Sequence, residues 1–214
     1  PTLAYVNGKV VVSFGDGSAP MYLNALTGVK EGTVTLGSAS CGSVTNDEGG
    51  NLIITSHAEA AATCNIYRSK SVNEAPVLFH SFVNETDVPV GYHVKVHGNI
   101  DADAVIILTH EGVAGITETS KYTRIVVSGG SVVSSELVDV ASLGLSWGAA
   151  PTNTAKVVAA SANPADGEFL CYYSRNIISY INGNGAIAAE YDLANIGANG
   201  NYNTNCMDSK SYNN

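Results

Sequence analysis

Four blocks of similar pattern recur along this 214-residue chain, and each passes from a polar turn into a β-branched, apolar run that ends in a hydroxyl residue and an ionisable residue. The blocks are Asn7 to Asp16, Asp47 to His57, Asp101 to His110 and Asp166 to Arg175. Repeats spaced by several tens of residues mark stacked supersecondary units, and units made only of strands favour a β-propeller.

Helical patterning is nearly absent, because Gly, Asn, Asp, Ser or Pro interrupts each apolar run before a helix could grow. We therefore predict an all-β chain that forms a single β-propeller domain of four-stranded antiparallel blades. The expected blades cover residues 3–37, 43–83, 92–141 and 156–192. The first two blades show only three clear strands each, which in the first blade are Val10–Phe14, Met21–Leu23 and Thr33–Leu36.

The last stretch, residues 193–214, is rich in Asn and Gly, and we expect it to be a loop or the start of a further blade. A propeller must close to remove its sheet edges. Either four blades close the ring or the chain is an incomplete part of a longer one, and we favour the second alternative.

The charge balance argues against two kinds of partner. The formal net charge is −9 and only 14% of the residues are charged, whereas nucleic acids and anionic membranes are held by clustered Lys and Arg. We predict neither a nucleic-acid partner nor membrane insertion.

The low charged fraction is typical of extracellular all-β proteins, and the chain opens on Pro1, as expected if an export signal has been removed. The triplet Asn84-Glu85-Thr86 fits the N-glycosylation pattern, which occurs often by chance.

The four cysteines have no metal-binding spacing. They are Cys41, Cys64, Cys171 and Cys206. We predict buried thiols, with one disulfide as the alternative.

Several short segments carry a resemblance to known propellers. Residues 22–30, which read Tyr-Leu-Asn-Ala-Leu-Thr-Gly-Val-Lys, resemble the turn between outer strands of quinoprotein-type blades, and residues 5–8 are similar to the opening of propellers named for a Tyr-Val-Thr-Asn repeat. Together with residues 46–52, 65–68 and 98–106, they make the chain resemble uncharacterised propeller proteins exported by gut Bacteroidetes. The resemblance covers most of Leu3 to Ala141 and implies fold and export, not a chemistry.

Two groups of residues suggest metal binding, and both have a simpler explanation. His93 and His97 alternate with valines in a predicted strand, where their rings would stand roughly 13 Å apart, so we expect surface-facing histidines that share no ion. Asp47, Asp101 and Asp103 lack the regular oxygen spacing of a calcium loop, and we expect them to cap turns. We predict no metal and no cofactor.

The repeat alignment selects one candidate site. Asp16, His57, His110 and Arg175 fall just past the same strand of their blades, so on a ring they would share one face. Such a rim carries ligands in many propellers. The alternative is that strand ends are simply polar.

We therefore expect a non-catalytic, exported module that binds or scaffolds a glycan or a cell-surface protein. Stacking on sugar rings is a possible role for Tyr22, Tyr122 or Trp147. The competing hypothesis is a propeller hydrolase or lyase that uses a divalent ion and axial carboxylates from Asp47, Asp101, Asp103 or Asp166. The oligomeric state stays open.

Overall fold

The computed structural model describes residues 2–111, 119–147, 157–161, 163, 166–174 and 177–192. In these ranges the chain forms four four-stranded antiparallel sheets, each with its strands in sequential order. The prediction of an all-β chain with four-stranded antiparallel blades is confirmed, because each sheet has the strand order of a propeller blade. The chain divides into two compact units, Pro1–Val94 and Lys95–Asn214, which are described separately.

The first sheet consists of β1 (Thr2–Val6), β2 (Lys9–Ser13), β3 (Met21–Asn24) and β4 (Lys30–Thr33). Asn7 and Gly8 have φ angles of 47° and 77° and join β1 to β2 as a two-residue hairpin. The outer strand was predicted too late in the sequence. The Asn24 side chain closes the next turn by accepting bonds from two backbone N–H groups, so that pairing already starts at Lys30.

The second sheet consists of β5 (Ser43–Asn46), β6 (Leu52–Thr55), β7 (Thr63–Ser69) and β8 (Val77–Val83). β1 and β5, the first strands of the two sheets, are the two that sequence reasoning missed. β5 reads Ser-Val-Thr-Asn, a sequence typical of a loop, yet Ser43 is fully buried. Its hydroxyl is hydrogen-bonded to the Thr55 hydroxyl at 2.7 Å, which satisfies the polar group in the interior. Paired hydroxyls allow a polar strand to occupy a buried position.

The first two sheets pack face to face and share one apolar core. The first sheet supplies Ala4, Val6 and Val11, and the second supplies Val44, Leu52 and Ile54 to the same core. All of these side chains are nearly inaccessible to solvent.

The triplet Asn84-Glu85-Thr86 forms a buried turn after β8. The Asn84 amide nitrogen donates to the carbonyl oxygens of Ala58 (3.2 Å) and Val88 (2.9 Å), while its oxygen accepts from the Thr86 backbone N–H and hydroxyl. Asn84 is 1% exposed. The side chain therefore holds the turn by hydrogen bonds, and modification of its nitrogen would remove at least one of the two that it donates.

The remaining two sheets contain eight strands. In the third they are β9 (Val90–Gly98), β10 (Ala104–His110), β11 (Lys121–Ser128) and β12 (Ser131–Asp139). In the fourth they are β13 (Val157–Ala159), β14 (Phe169–Ser174), β15 (Ile177–Ile181) and β16 (Ile187–Asp192). All seven residues of β10 are buried, which explains its continuous apolar run. A 3₁₀ turn at Ala141–Leu143 follows β12.

The second unit has its own core between its two sheets. Val105 and Tyr122 of the third sheet pack with Val157 and Phe169 of the fourth, and the rings of Tyr122 and Phe169 lie 5.3 Å apart. Trp147 is buried in this core. Neither Tyr122 nor Trp147 can therefore stack on a sugar from solvent.

The two strand histidines differ from expectation, because both are buried. His93 is 5% exposed and His97 is 6% exposed. Most residues of β9 are buried on both faces of the strand, so alternation along it creates no solvent-facing row. His97 places Nδ1 3.1 Å from the Ala159 carbonyl oxygen. The prediction of surface-facing histidines was wrong because it assumed that one face of β9 was open.

The predicted buried thiols are confirmed at three positions. Cys41, Cys64 and Cys171 are buried in thiol form, and Cys206 lies outside the described residues. Burial raises the pKa of the Cys41 thiol and raises that of Cys64 to about 12. Thiols that stay protonated behind a packed core are poor nucleophiles.

We expect these thiols to be unreactive in the folded chain. In a Cys206→Ser background, Ellman's reagent at about pH 8 should label almost nothing before denaturation and all three buried thiols afterwards. Ser40 is exposed, so an added Ser40→Cys change gives a matched reactive control. Labelling of the native Cys206→Ser protein as fast as the added thiol would contradict the described core.

Within the described ranges, the chain has no helix with the length and apolar character needed to cross a membrane.

Candidate binding site

The structure places the four predicted site residues in different surroundings. Asp16 is exposed beyond β2, and His57 is half-buried beyond β6. His110 is the last residue of β10 and is 1% exposed. Arg175 lies outside the described residues. Asp16 and His57 belong to the first unit, and the candidate site is built around these two.

Asp16 is held in an exposed turn after β2. Its Oδ1 accepts bonds from the Ser18 backbone N–H (3.0 Å) and the Ser18 hydroxyl (2.5 Å). The Ser18 hydroxyl and backbone bonds hold the pKa of Asp16 below its usual value. The turn thus presents an ionised carboxylate to solvent.

His57 stacks on Tyr92, which the sequence analysis did not select. The two ring centroids are 4.2 Å apart and the rings are tilted by 41°. Nε2 of His57 is shielded from solvent, makes no hydrogen bond, and lies 3.5 Å from Oε1 of the exposed Glu59. An imidazole, a phenol ring and a carboxylate therefore meet at one place.

Gly42 and Gly91 allow their backbone segments to approach the backbone of Ser56 and His57 closely. A Cβ at Gly91 would lie 2.0 Å from the Ser56 carbonyl oxygen, and one at Gly42 would lie 2.9 Å from the His57 nitrogen. Only residues without a side chain fit this crossing. The Thr55 hydroxyl fixes the crossing by donating to the Gly91 carbonyl oxygen at 2.9 Å.

The Asp16 turn lies at the same end of the unit as the stack. A Cβ on Gly15 would lie 3.3 Å from the Gly42 carbonyl oxygen and 4.0 Å from the Tyr92 ring. Burial is the main cause that raises the pKa of Cys41, and the negative charge of Asp16 raises it further. We name Asp16, His57, Glu59 and Tyr92 the strand-end cluster.

His110 is part of the second unit's interior. Its Nε2 lies 2.8 Å from the Thr123 hydroxyl, and its carbonyl oxygen accepts a 2.8 Å bond from the Trp147 indole. Burial, with a smaller effect of the Lys121 charge, lowers the pKa of His110 to about 4. An uncharged and inaccessible imidazole cannot contact a ligand at the surface, so we leave His110 out of the candidate site.

The turn-capping prediction is confirmed for Asp47 and Asp103. Asp47 accepts bonds from the backbone (2.6 Å) and side-chain (2.8 Å) nitrogens of Asn51. Asp103 accepts from the Ser128 hydroxyl and the Gly129 N–H. Each carboxylate is thus engaged in a turn of its own sheet.

One comparison covers the whole sequence. A family model described as "Domain of unknown function (DUF8500)" matches residues 1–214. The chain belongs to the DUF8500 family. No curated protein matches it.

A solved structure shares the fold at low identity. It is the crystal structure of a DUF4623 family protein from Bacteroides eggerthii, with a TM-score of 0.62 and 11% identity. The match covers 89% of the DUF8500 chain and 44% of the other chain, so the DUF8500 chain spans less than half the length of this neighbour. Similarity at this identity shows the fold alone. The Bacteroides source of this neighbour agrees with the resemblance to proteins of Bacteroidetes noted from the sequence.

The described part of the DUF8500 chain contains no group of three or more His, Cys, Asp or Glu side chains that could hold a metal ion. The strand-end cluster offers hydrogen-bonding carboxylates and an aromatic ring instead. These groups can accept hydrogen bonds from a polar ligand and offer an aromatic face for its apolar part.

Proposed function

We propose that this chain is an exported, propeller-type module that binds or scaffolds a glycan or a cell-surface protein without catalysing a reaction. The observation that supports the proposal most strongly is the strand-end cluster, in which an exposed carboxylate turn lies beside the stacked rings of His57 and Tyr92. Rigid strands that aim variable loops are the usual way in which β-proteins build binding surfaces.

The chemistry of the cluster favours a glycan over a protein partner. Carboxylates such as Asp16 and Glu59 accept hydrogen bonds from sugar hydroxyls, and a tyrosine ring offers an apolar face for the sugar's C–H groups. The Asp16 carboxylate is already fixed by Ser18, so little side-chain entropy is lost on binding.

The propeller arrangement is part of the same proposal. Four sheets of blade-like strand order support it, as does the face-to-face packing of the first two sheets. The small charged fraction of 14% supports an exported location.

The hydrolase or lyase hypothesis needs carboxylates that point together at an ion. Asp47 and Asp103 hold their own turns, and Asp166 accepts bonds from the side chains of Ser161 and Asn163 at 2.6 and 2.8 Å. No observation in the described residues favours this alternative.

A glycan array followed by titration calorimetry with the best hit tests the proposed function. We expect Asp16→Asn to weaken binding about tenfold or more, because it removes a charge-assisted bond while the amide oxygen can still cap the turn. His57→Gln, which removes the stacked imidazole, should also weaken binding.

Asp87→Asn is the matched control, since Asp87 is another exposed carboxylate of the same unit. It should leave the affinity unchanged. An array without hits, or an affinity that Asp16→Asn and His57→Gln leave intact, would remove the strand-end cluster as a glycan site.

A further inference from the structure

Asparagine followed by glycine occurs four times in this chain, and this pair of residues can undergo a spontaneous reaction. The pairs begin at Asn7, Asn182, Asn184 and Asn199. A glycine has no side chain to shield its own backbone nitrogen, so this nitrogen can reach the side-chain amide carbon of the preceding asparagine. Asn199 lies outside the described residues. The other three differ in the hydrogen bonds that hold their side chains.

Hydrogen bonds hold two of the three side chains in place. The Asn7 amide nitrogen donates to the Lys70 carbonyl oxygen at 2.8 Å. The Asn182 amide oxygen accepts bonds from the backbone N–H groups of Asn184 (3.0 Å) and Ala186 (3.2 Å). A side chain held in this way must give up its hydrogen bonds before it can rotate towards the following nitrogen.

The third side chain, that of Asn184, is exposed in the turn between β15 and β16. It makes no hydrogen bond with any residue in the described ranges. The turn covers residues 182–186 and includes two glycines, whereas Asn7 lies directly beside the paired residues Val6 and Lys9. The Asn184 amide can therefore rotate without breaking a bond of its own.

The nitrogen that would attack this amide belongs to Gly185. In the folded chain its N–H donates to the Asn182 carbonyl oxygen at 2.9 Å. This bond lies inside the turn, so it can open while Ile181 and Ile187 stay paired on either side. The fold therefore slows the reaction relative to an unfolded chain but does not block it.

We propose that Asn184 is a site of spontaneous modification to aspartate and isoaspartate. The Gly185 nitrogen forms a bond to the side-chain carbonyl carbon Cγ of Asn184, and the bond from this carbon to the amide nitrogen breaks. The proton of the Gly185 N–H leaves with the ammonia that is released, and a cyclic imide remains. Water then adds to one of the two imide carbonyl carbons, which gives an aspartyl or an isoaspartyl residue.

A matching turn in the third sheet shows which product the fold accepts. There the Asn99 side chain accepts a bond from the Asp101 backbone N–H at 2.9 Å. The Asn182 side chain accepts the Asn184 N–H in the same way, so an aspartate at position 184 would stand where the third sheet already has one. An isoaspartyl residue adds a carbon atom to the main chain and would disturb the turn.

Peptide mapping of the whole chain, after incubation in mildly alkaline buffer, tests the proposal. Cleavage by chymotrypsin after Tyr180 and Tyr191 separates residues 181–191 from the rest of the chain. Tandem mass spectrometry then locates the converted amide at Asn182 or Asn184. Asn184→Gln is the matched variant and should keep its amide, since closure of a larger ring is much slower.

In the folded chain, we expect conversion at Asn184 to be at least about fivefold faster than at Asn7 or Asn182, because their side chains must first give up hydrogen bonds. In the urea-unfolded chain, the rates at the three positions should differ much less. Conversion at Asn7 or Asn182 as fast as at Asn184 in the folded chain would overturn the proposal. An Asn184 amide that stays intact under conditions that convert the unfolded chain would overturn it as well.

Discussion

Replacing Gly91 by alanine should prevent the first unit from folding. The new Cβ would lie 2.0 Å from the Ser56 carbonyl oxygen, and the φ of 99° is one that L residues rarely adopt. The backbone at Ser56 cannot move aside without breaking the paired hydrogen bonds between Ala58 and Val90. We expect a loss of at least about 4 kcal/mol in the free energy of unfolding, at the upper end of single substitutions.

Gly28→Ala separates the two causes of the lost stability, which are the steric overlap of the new Cβ and the positive φ. Gly28 also has a positive φ, of 69°, but a Cβ there meets no atom within 4 Å. This substitution should cost only about 1 kcal/mol, the price of a left-handed residue alone. Urea denaturation followed by circular dichroism measures both variants.

Gly42→Ala tests the same close approach from the backbone segment just before β5. Its Cβ would lie 2.8 Å from the Gly91 carbonyl oxygen, so it should also destabilise strongly. If Gly91→Ala costs no more than Gly28→Ala, the close approach beneath the His57 ring is not present in solution.

Acid should destabilise the second unit well before its carboxylates titrate. The unfolded chain binds a proton at His110 as the pH falls below about 6.5, whereas the folded chain keeps this imidazole neutral until about pH 4. Stability from this group is complete above pH 6.5 and is lost progressively down to about pH 4, by up to about 3 kcal/mol. The positive charge of Lys121 works in the same direction.

Trp147 provides the measurement, since its indole is bonded to the His110 carbonyl and it is the chain's single tryptophan. Urea midpoints from its fluorescence should fall between pH 6.5 and pH 4 in the wild type and change much less in His110→Gln. His57→Gln, in the first unit, should keep the fall. Equal slopes in the wild type and His110→Gln would show that His110 is not the group responsible.

Much of the strand pattern could be predicted from local sequence. Continuous apolar runs such as β6 and β10 are recognised because burial on both faces requires them. β5 could not be recognised, because its buried Ser43 is stabilised by Thr55, a hydroxyl contributed by the neighbouring strand. The position of β4 depended on a side-chain bond at Asn24 that sets where pairing begins.

The candidate site was predictable only in part. The repeat identified Asp16 and His57 as candidates because both follow the same strand of their blocks. Tyr92 lies 35 positions after His57, and the two rings stack where the backbone passes closely at Gly42 and Gly91. No local sequence pattern reveals this long-range contact. The repeat gave no information on burial, and His110 therefore looked equivalent to His57.

The buried turn at Asn84 has a consequence for how the protein can be produced. A eukaryotic secretory host would read Asn84-Glu85-Thr86 as an acceptor for an oligosaccharide while the chain is still being translocated. A sugar on that nitrogen would replace one of its two N–H hydrogens, so it could no longer donate to both Ala58 and Val88, and a sugar does not fit at a side chain that is 1% exposed. Production in such a host would thus divide molecules into folded ones without the sugar and misfolded ones that carry it.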